Sequence, residues 1–400
     1  MRNTLKLNSM LALGVAPLVL SQASYENTLT GLIGQLYAGL DVVSRELVGY
    51  IPSVTRNTDV ERARVGQSVT YPIVPQQTSM DVVPAMVVPE PRDQDIGSGQ
   101  ITITKSKAVE FGFTGEEQLG LMNGVGNMTI QADMFAQGLR TLTNEIEQDL
   151  ATEIMSKASR AYGTAGTTPY QTGVGDSANV AQILKDNGQY MSGSMCQVLN
   201  TTAGTAYQSN PNLVKVNEAG DSMTLRQGEF GNIHGFSVKE SGAMTAHTSS
   251  GTPVNTDGSA YTKFDTEITM DAAGIIAGDV ISIAGDANQY VVVDVAGPVV
   301  TIALPGLAQD IPAVATAVTP AADYYGSTAF VRSAAHLVMR APALPMGGDA
   351  ADDRVTLVDP RSGLVFEVSL YRGYRKIRAE VAAAWGVHAS KSEGIALMLG

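Results

Sequence analysis

The chain is short of the residues from which most active sites are built. Its 400 residues include one cysteine, one tryptophan and four histidines, and aromatic residues make up only 6%. The lone Cys196 excludes an internal disulfide, suits a reducing compartment and reads as a small buried hydrophobe. His234, His247, His336 and His388 are scattered, without the close pairing that a zinc site needs, and read as structural. Basic side chains are scarce too. Against 39 Asp and Glu stand 26 Lys and Arg, a net charge of −13, which argues against nucleic acid as a ligand over the whole surface. Beyond residue 20 no apolar run is long enough to span a membrane. There is no GxSxG elbow, no phosphate loop ending in Gly-Lys-Ser/Thr and no HExxH. The glycine cluster Gly120–Gly126 lacks the third glycine and the preceding strand of a dinucleotide motif, and reads as a loop leading into a helix. Asp279, Asp286 and Asp294 recur at strand ends without EF-hand spacing and read as solvated turn carboxylates. No catalytic, cofactor-binding or metal-ligating residue is expected, and a hydrolase has no residue set behind it.

What is present is a folded, strand-rich composition abundant in Gly, Ala, Thr and Val, long enough for two or three domains. Its clearest element is a long helix over Thr129–Ala161. Phe135, Leu139, Leu142, Ile146, Leu150 and Ile154 step by three or four residues and draw one apolar stripe. Asp133 falls in the first turn and Lys157 and Arg160 in the last, complementing the helix dipole, and Glu153 precedes Lys157 by four residues. Such a helix runs roughly 50 Å, whereas a compact domain of this length has a radius of gyration of about 21 Å. A flat, elongated subunit with a spine is expected, its stripe packed on strands within one subunit.

The N-terminus places Arg2 and Lys6 before the apolar run Met10–Leu20, with Ser21-Gln22-Ala23 after it, which taken alone reads as a signal peptide. Residues 25–52 carry helical spacing at Leu32, Leu36, Leu40, Val43 and Leu47, stopped by Pro52. Residues 53–113 read as an extended hairpin arm: strands Val69–Val74 and Gln100–Lys105 flank a stretch with Pro75, Pro84, Pro89 and Pro91. A two-stranded ribbon has no core of its own, so the arm is expected to lie on a neighbour. After a Gly/Thr loop, Ser177 is placed as the cap of a short helix ending at Gly188, followed by a strand at Cys196–Asn200, a helix-turn at 206–213 and a tight strand pair at Gly231–Ser241. Residues 242–326 then hold nine acidic residues and one basic, Lys263, a net of −8. Their successive glycine-separated strands read as a small β-barrel-like insert. Residues 327–400 return to mixed charge.

Two charged sets stand out. Tyr371, Arg372, Tyr374, Arg375, Lys376 and Arg378 interleave bases with aromatics, a pattern that suits stacking on nucleic acid. On a strand, Arg372, Tyr374, Lys376 and Arg378 would share one face, which favours a solvated or subunit-contacting surface over that reading. Arg56, Asp59, Glu61, Arg62 and Arg64, at the base of the arm, are candidate inter-subunit contacts, with solubility as the plain alternative.

The order helix, proline-rich β-arm, spine helix, mixed domain, acidic β-insert, mixed domain resembles the major capsid proteins of tailed phages. Within them it is similar to the P22-like coat proteins, which add a β-barrel domain to the HK97-type capsid fold. Asn27–Pro52, Gly231–Ser241, Ile275–Gly285 and Leu357–Val387 carry the resemblance. It implies an α+β capsid fold with a 1–24 extension, an N-arm at 25–52, an extended loop at 53–113 and a peripheral domain at 114–176. An axial domain at 177–241 and 327–400 would be split around a barrel at 242–326. It also implies hexamers and pentamers of an icosahedral shell, with scaffolding protein and portal as partners, double-stranded DNA met non-specifically on the inner face, no membrane, and assembly in the bacterial cytoplasm. Residues 1–24 then read as an extension, not a signal peptide. The alternative is an exported or outer-membrane β-rich surface protein, which requires many even, alternating strands of about ten residues.

Overall fold

The computed structural model describes residues 48–73, 97–117, 127–190, 193–214, 230–358 and 363–400, a mixed α+β chain rich in strands. The N-terminal extension, most of the helix expected over 25–52, the arm's tip at 74–96 and the Gly120–Gly126 loop lie outside them.

The long helix is Asn127–Ser156, 30 residues and about 45 Å. Phe135, Leu139, Leu142, Ile146, Leu150 and Ile154 are each no more than 2% exposed and lie in the main core. The helix ends five residues earlier than the periodicity predicts. Ser159 donates both its N–H and its hydroxyl to the Ile395 carbonyl, at 3.0 and 2.7 Å, and so turns the chain into the strand Arg160–Tyr162. Arg160 therefore does not cap the helix dipole. Its guanidinium is held by Asn288 and Asn187 at 3.0 and 2.7 Å. Glu153 turns away from the helical partner expected at Lys157 and accepts the Ala389 N–H at 3.3 Å, because the underlying sheet supplies a fixed donor.

That sheet has six strands. Lys376–Ala389 pairs with Val365–Gly373, Ala335–Pro342 and Lys105–Thr114; Ala351–Val358 and Thr55–Ala63 complete it. Residues 53–113 are thus not a single hairpin. Thr55–Ala63 and Lys105–Thr114 belong to this sheet, and the free ribbon is only Ser68–Ile73 against Gly97–Thr102. The long helix crosses one face, with Phe111 and Phe135 edge to face at 4.7 Å. A row of acids four apart bonds it to the sheet: Glu145 to Lys107 at 2.8 Å, and Asp149 to Lys105 and the Trp385 indole at 2.7 and 2.8 Å.

A second sheet runs through Phe236–Glu240, Met195–Leu199, Tyr324–Val331, Ile395–Leu399 and Arg160–Tyr162. Its residues divide by the two-residue period of a strand. Cys196, Val198, Phe330, Ile395 and Leu397 join the core around the long helix, while Leu199, Ala329, Val331, Ala396 and Met398 face two shorter helices, Gly175–Asp186 and Thr201–Ser209. Ser177 does not cap the first of these; it is buried, with its hydroxyl 2.7 Å from Tyr170 and 3.1 Å from Gln197. The second begins five residues ahead of the helix-turn expected at 206, because Asn200 caps it by accepting the Ala203 N–H at 2.7 Å. His234 and Gly235, both at positive φ, make the tight turn expected between Asn232–Ile233 and Phe236–Glu240.

In the acidic segment the pairings run from Val254–Asn255 to Ala317–Pro320, Val280–Ile283, Gln289–Ala296, Val299–Ile302 and Glu267–Thr269. A bridge from Thr256 to Met270 returns the last strand to the first, so the six close into a ring. Ile268, Ile281, Tyr290, Val292, Ile302 and Val318 fill it. The ring joins the second sheet where Gln289 and Tyr290 pair with Ala161 and Arg160.

Candidate functional site

The face of the six-stranded sheet opposite the long helix carries the root of the ribbon. Ile101 and Ile103 are buried against Val338 and Ala384, with Val69 and Tyr71 packed beside them. The expectation that this arm finds no support on its own subunit fails at the root, because the sheet offers an apolar patch there. Two glycines permit the approach. A Cβ on Gly386 would lie 2.2 Å from the Thr102 carbonyl oxygen, and one on Gly99 would lie 2.2 Å from the Tyr71 ring that folds across it. Away from the root, Thr70, Pro72, Ser98, Gln100 and Thr102 are exposed and no third strand pairs with the described ribbon.

Tyr71 stacks on His336 at 5.0 Å and tilts against His388 at 6.3 Å; the two histidines are cross-strand partners 52 positions apart. Burial, then the facing His388 and Lys391, hold His336 below the ordinary value of 6.5 against a hydrogen bond at Ser333, while Glu153 lies 3.9 Å from His388. The unfolded chain therefore binds this proton more readily than the folded one, so stability falls as pH drops through and below 6.5. The thermal midpoint is expected to fall between about pH 7 and 5, and His336→Gln to flatten that fall. Equal slopes in the two proteins would remove His336 from the account.

At the arm's base, Arg62 does not reach outward. It bonds the Pro342 carbonyl at 2.8 Å and pairs with the buried Glu367, which Arg354 also approaches at 3.3 Å. The Arg56 guanidinium lies over Gly363. Glu61 and Arg64 are exposed, and Asp59 belongs to the same strand as Glu61. The basic cluster at 371–378 is not one strand face. Tyr374 and Arg375 form the turn between two strands, with Arg375 at φ +54°, so the two-residue period breaks there. Arg372 pairs with Asp352 and Arg378 with Glu110, which neutralises half the bases. Tyr374, 89% exposed, and Lys376 remain at the tip.

Two buried carboxylates tie the described segments together, and neither role is visible in the sequence. Asp279, expected as a solvated turn, is fully buried where the acidic ring meets its linkers. Burial pushes its carboxyl up, but hydrogen bonds from His247, the Ser250 hydroxyl and the N–H groups of Ile276 and Ser250 outweigh that and hold it below its usual value. Glu147 lies beside the apolar stripe and is 2% exposed. It accepts the N–H groups of Gly49 and Tyr50 at 2.6 Å each, that of Ile51 at 2.9 Å and the Ser241 hydroxyl at 2.8 Å. Burial holds the Glu147 carboxyl above its ordinary value, and these four donors offset only part of that rise. No group of three or more potential metal ligands occurs among the described residues, and Cys196 is buried and free.

No protein-family model and no curated protein sequence matches the chain. Among solved structures it is similar to the capsid of cyanophage P-SCSP1u, at 11% identity over 86% of each chain with a TM-score of 0.47. It is also similar to the mature capsid of bacteriophage PhiM1, at 9% identity over 88% of this chain and 86% of that one, TM-score 0.45. A virus-like particle from Pyrococcus furiosus aligns with 92% of this chain and 99% of its own, at 9% identity and TM-score 0.43.

Proposed function

We propose that this chain is the major capsid protein of a tailed double-stranded DNA phage, a structural tile of an icosahedral head with no catalytic role. The observation that carries this reading is the ribbon Ser68–Ile73/Gly97–Thr102. It is rooted on its own sheet by a few side chains, has no third strand among the described residues and presents most of its described length to solvent. Two strands without a covering layer are marginal in water, so the ribbon needs the surface of another copy. A helix of about 45 Å bonded to a sheet by a row of acids gives the stiff body on which such a ribbon works as a lever.

In this reading the subunit has the HK97-type fold of the P22-like coat proteins. The ring within 242–326 is the inserted barrel domain, the long helix belongs to the peripheral domain, and the second sheet with its two short helices is the axial domain. Hexamers and pentamers assemble with scaffolding protein and a portal in the host cytoplasm. The insert, at −8, faces away from the packaged phosphates. No helix among the described residues is long and apolar enough to cross a membrane. Of the candidates at the arm's base, Arg62 is engaged within the subunit, Glu61 and Arg64 are exposed, and Arg56 and Asp59 stay candidates for contact between copies beside them.

Replacing residues 74–96 by an Asn-Gly turn is expected to leave a folded subunit, because the root contacts lie outside the deletion, while shell formation drops below a tenth of wild type. Electron microscopy and sedimentation of the protein expressed with its scaffold read the result. A wild-type chain that never forms capsomers or shells would refute the function itself.

A further inference from the structure

We infer that Glu147 is a positioning residue that couples the segment at Gly49–Ile51 to the linker leading into the acidic ring, so that neither can shift on the long helix alone. Its two oxygens accept only donors: three consecutive backbone N–H groups from one side and the Ser241 hydroxyl from the other. Successive N–H groups converging on one carboxylate make a concave anion site, and charged hydrogen bonds of this kind are about twice as strong as neutral ones.

Both limbs are built to fit. A Cβ on Gly49 would lie 2.6 Å from Val198 Cγ1 and 2.9 Å from the Glu240 carbonyl oxygen, so only glycine brings that N–H to Glu147. Next to it Tyr50 is fully buried, with its hydroxyl 2.8 Å from Thr328 and its ring stacked on Phe330. On the other limb, Ser241 closes the strand Phe236–Glu240 by donating its N–H to Leu199 O at 3.0 Å, and its oxygen accepts the Ala243 N–H at 3.3 Å. Past it the chain runs along a cavity of about 570 Å³ between linker residues Gly242–Thr245 and helix residues Asn144 and Gln148. Glu147, which also lines that cavity, is the shared partner of both limbs. This coupling belongs to the single subunit; its use in a shell, where a neighbour's pull on the N-terminal segment would reach the insert, rests on the function proposed above.

Hydrogen exchange of the unassembled subunit tests it with three variants. Ser241→Ala removes one acceptor–donor pair from the linker limb and leaves the helix intact. It is expected to speed exchange in 242–245 at least tenfold and, through Glu147, to speed the Tyr50 and Ile51 amides at least threefold. Glu147→Gln, which places an amide donor among donors, is expected to speed both limbs at least tenfold, while the Val292 amide inside the ring stays unchanged. Glu147→Asp should restore part of the protection in both limbs. Acceleration confined to 242–245 in Ser241→Ala would overturn the coupling, as would a Glu147→Gln protein in which only one limb responds. If Glu147→Gln does not fold, the Ser241→Ala comparison alone decides. Shell yield, measured separately, reports on the capsid reading and not on the coupling.

Discussion

Trp385→Ala is expected to destabilise the subunit by about 3–5 kcal/mol, the usual cost of emptying a large aromatic site in a packed core. Trp385 is fully buried under the long helix, on the inner strand Lys376–Ala389 of the six-stranded sheet, opposite Met339 on one side and Lys105 on the other. Its indole N–H donates to Asp149, which also holds Lys105, so truncation removes packing and one of two donors to a half-buried carboxylate. Trp385→Phe keeps most of the volume and loses the hydrogen bond, for which about 1–2 kcal/mol is expected. Because this is the only tryptophan in the chain, far-UV circular dichroism in urea, not fluorescence, must follow unfolding. A loss under about 1 kcal/mol for Trp385→Ala would mean that helix and sheet are not joined there.

The neighbouring residue gives the second large effect by a different route. Gly386→Ala places a Cβ 2.2 Å from the Thr102 carbonyl oxygen and 3.0 Å from Ile103 Cα, both backbone atoms that no side-chain rotation can clear. The ribbon root must lift, freeing Ile101 and Ile103 from Val338 and Ala384. The expected cost to the subunit is about 1–3 kcal/mol, in the range of overpacking. On the capsid reading proposed above the effect on assembly is larger, since one misdirected ribbon would recur in every copy; at least a tenfold fall in shell yield is expected. Tryptic cleavage at Arg64 and Lys105, beside the root, should rise in step. Normal shells with unchanged cleavage would show that the ribbon's direction is not set at Gly386.

The two outcomes bear on how much of the fold is legible in the sequence. Local periodicity carries far: the stripe from Phe135 to Ile154 lies in the core, and the strand pair around His234-Gly235 turns where its residues require. What periodicity cannot show is which strand belongs to which sheet. Thr55–Ala63 and Lys105–Thr114 look like parts of one arm because they flank it in sequence, yet their partners lie more than 200 residues away. The functional anchors were hidden for the same reason. Glu147 sits one position from Ile146 and reads as a helix-surface acid until Gly49–Ile51 and Ser241 are brought to it. The basic cluster was misleading in the opposite way: its charges are close in sequence, but Asp352 and Glu110 arrive from elsewhere to cancel two of the four.

One pairing near the end of the acidic ring has a practical side. The chain leaves for the ring at Ala246–His247 and returns at Tyr324–Tyr325, and these residues are directly hydrogen-bonded partners. Departure and return points are therefore roughly 5 Å apart, so the 76 residues between them are held to the body at one paired exit and at the strand pairing with Arg160 and Ala161. A replacement unit must therefore bring its two ends to that spacing and also present an edge strand to Arg160 and Ala161, where the ring is paired to the second sheet.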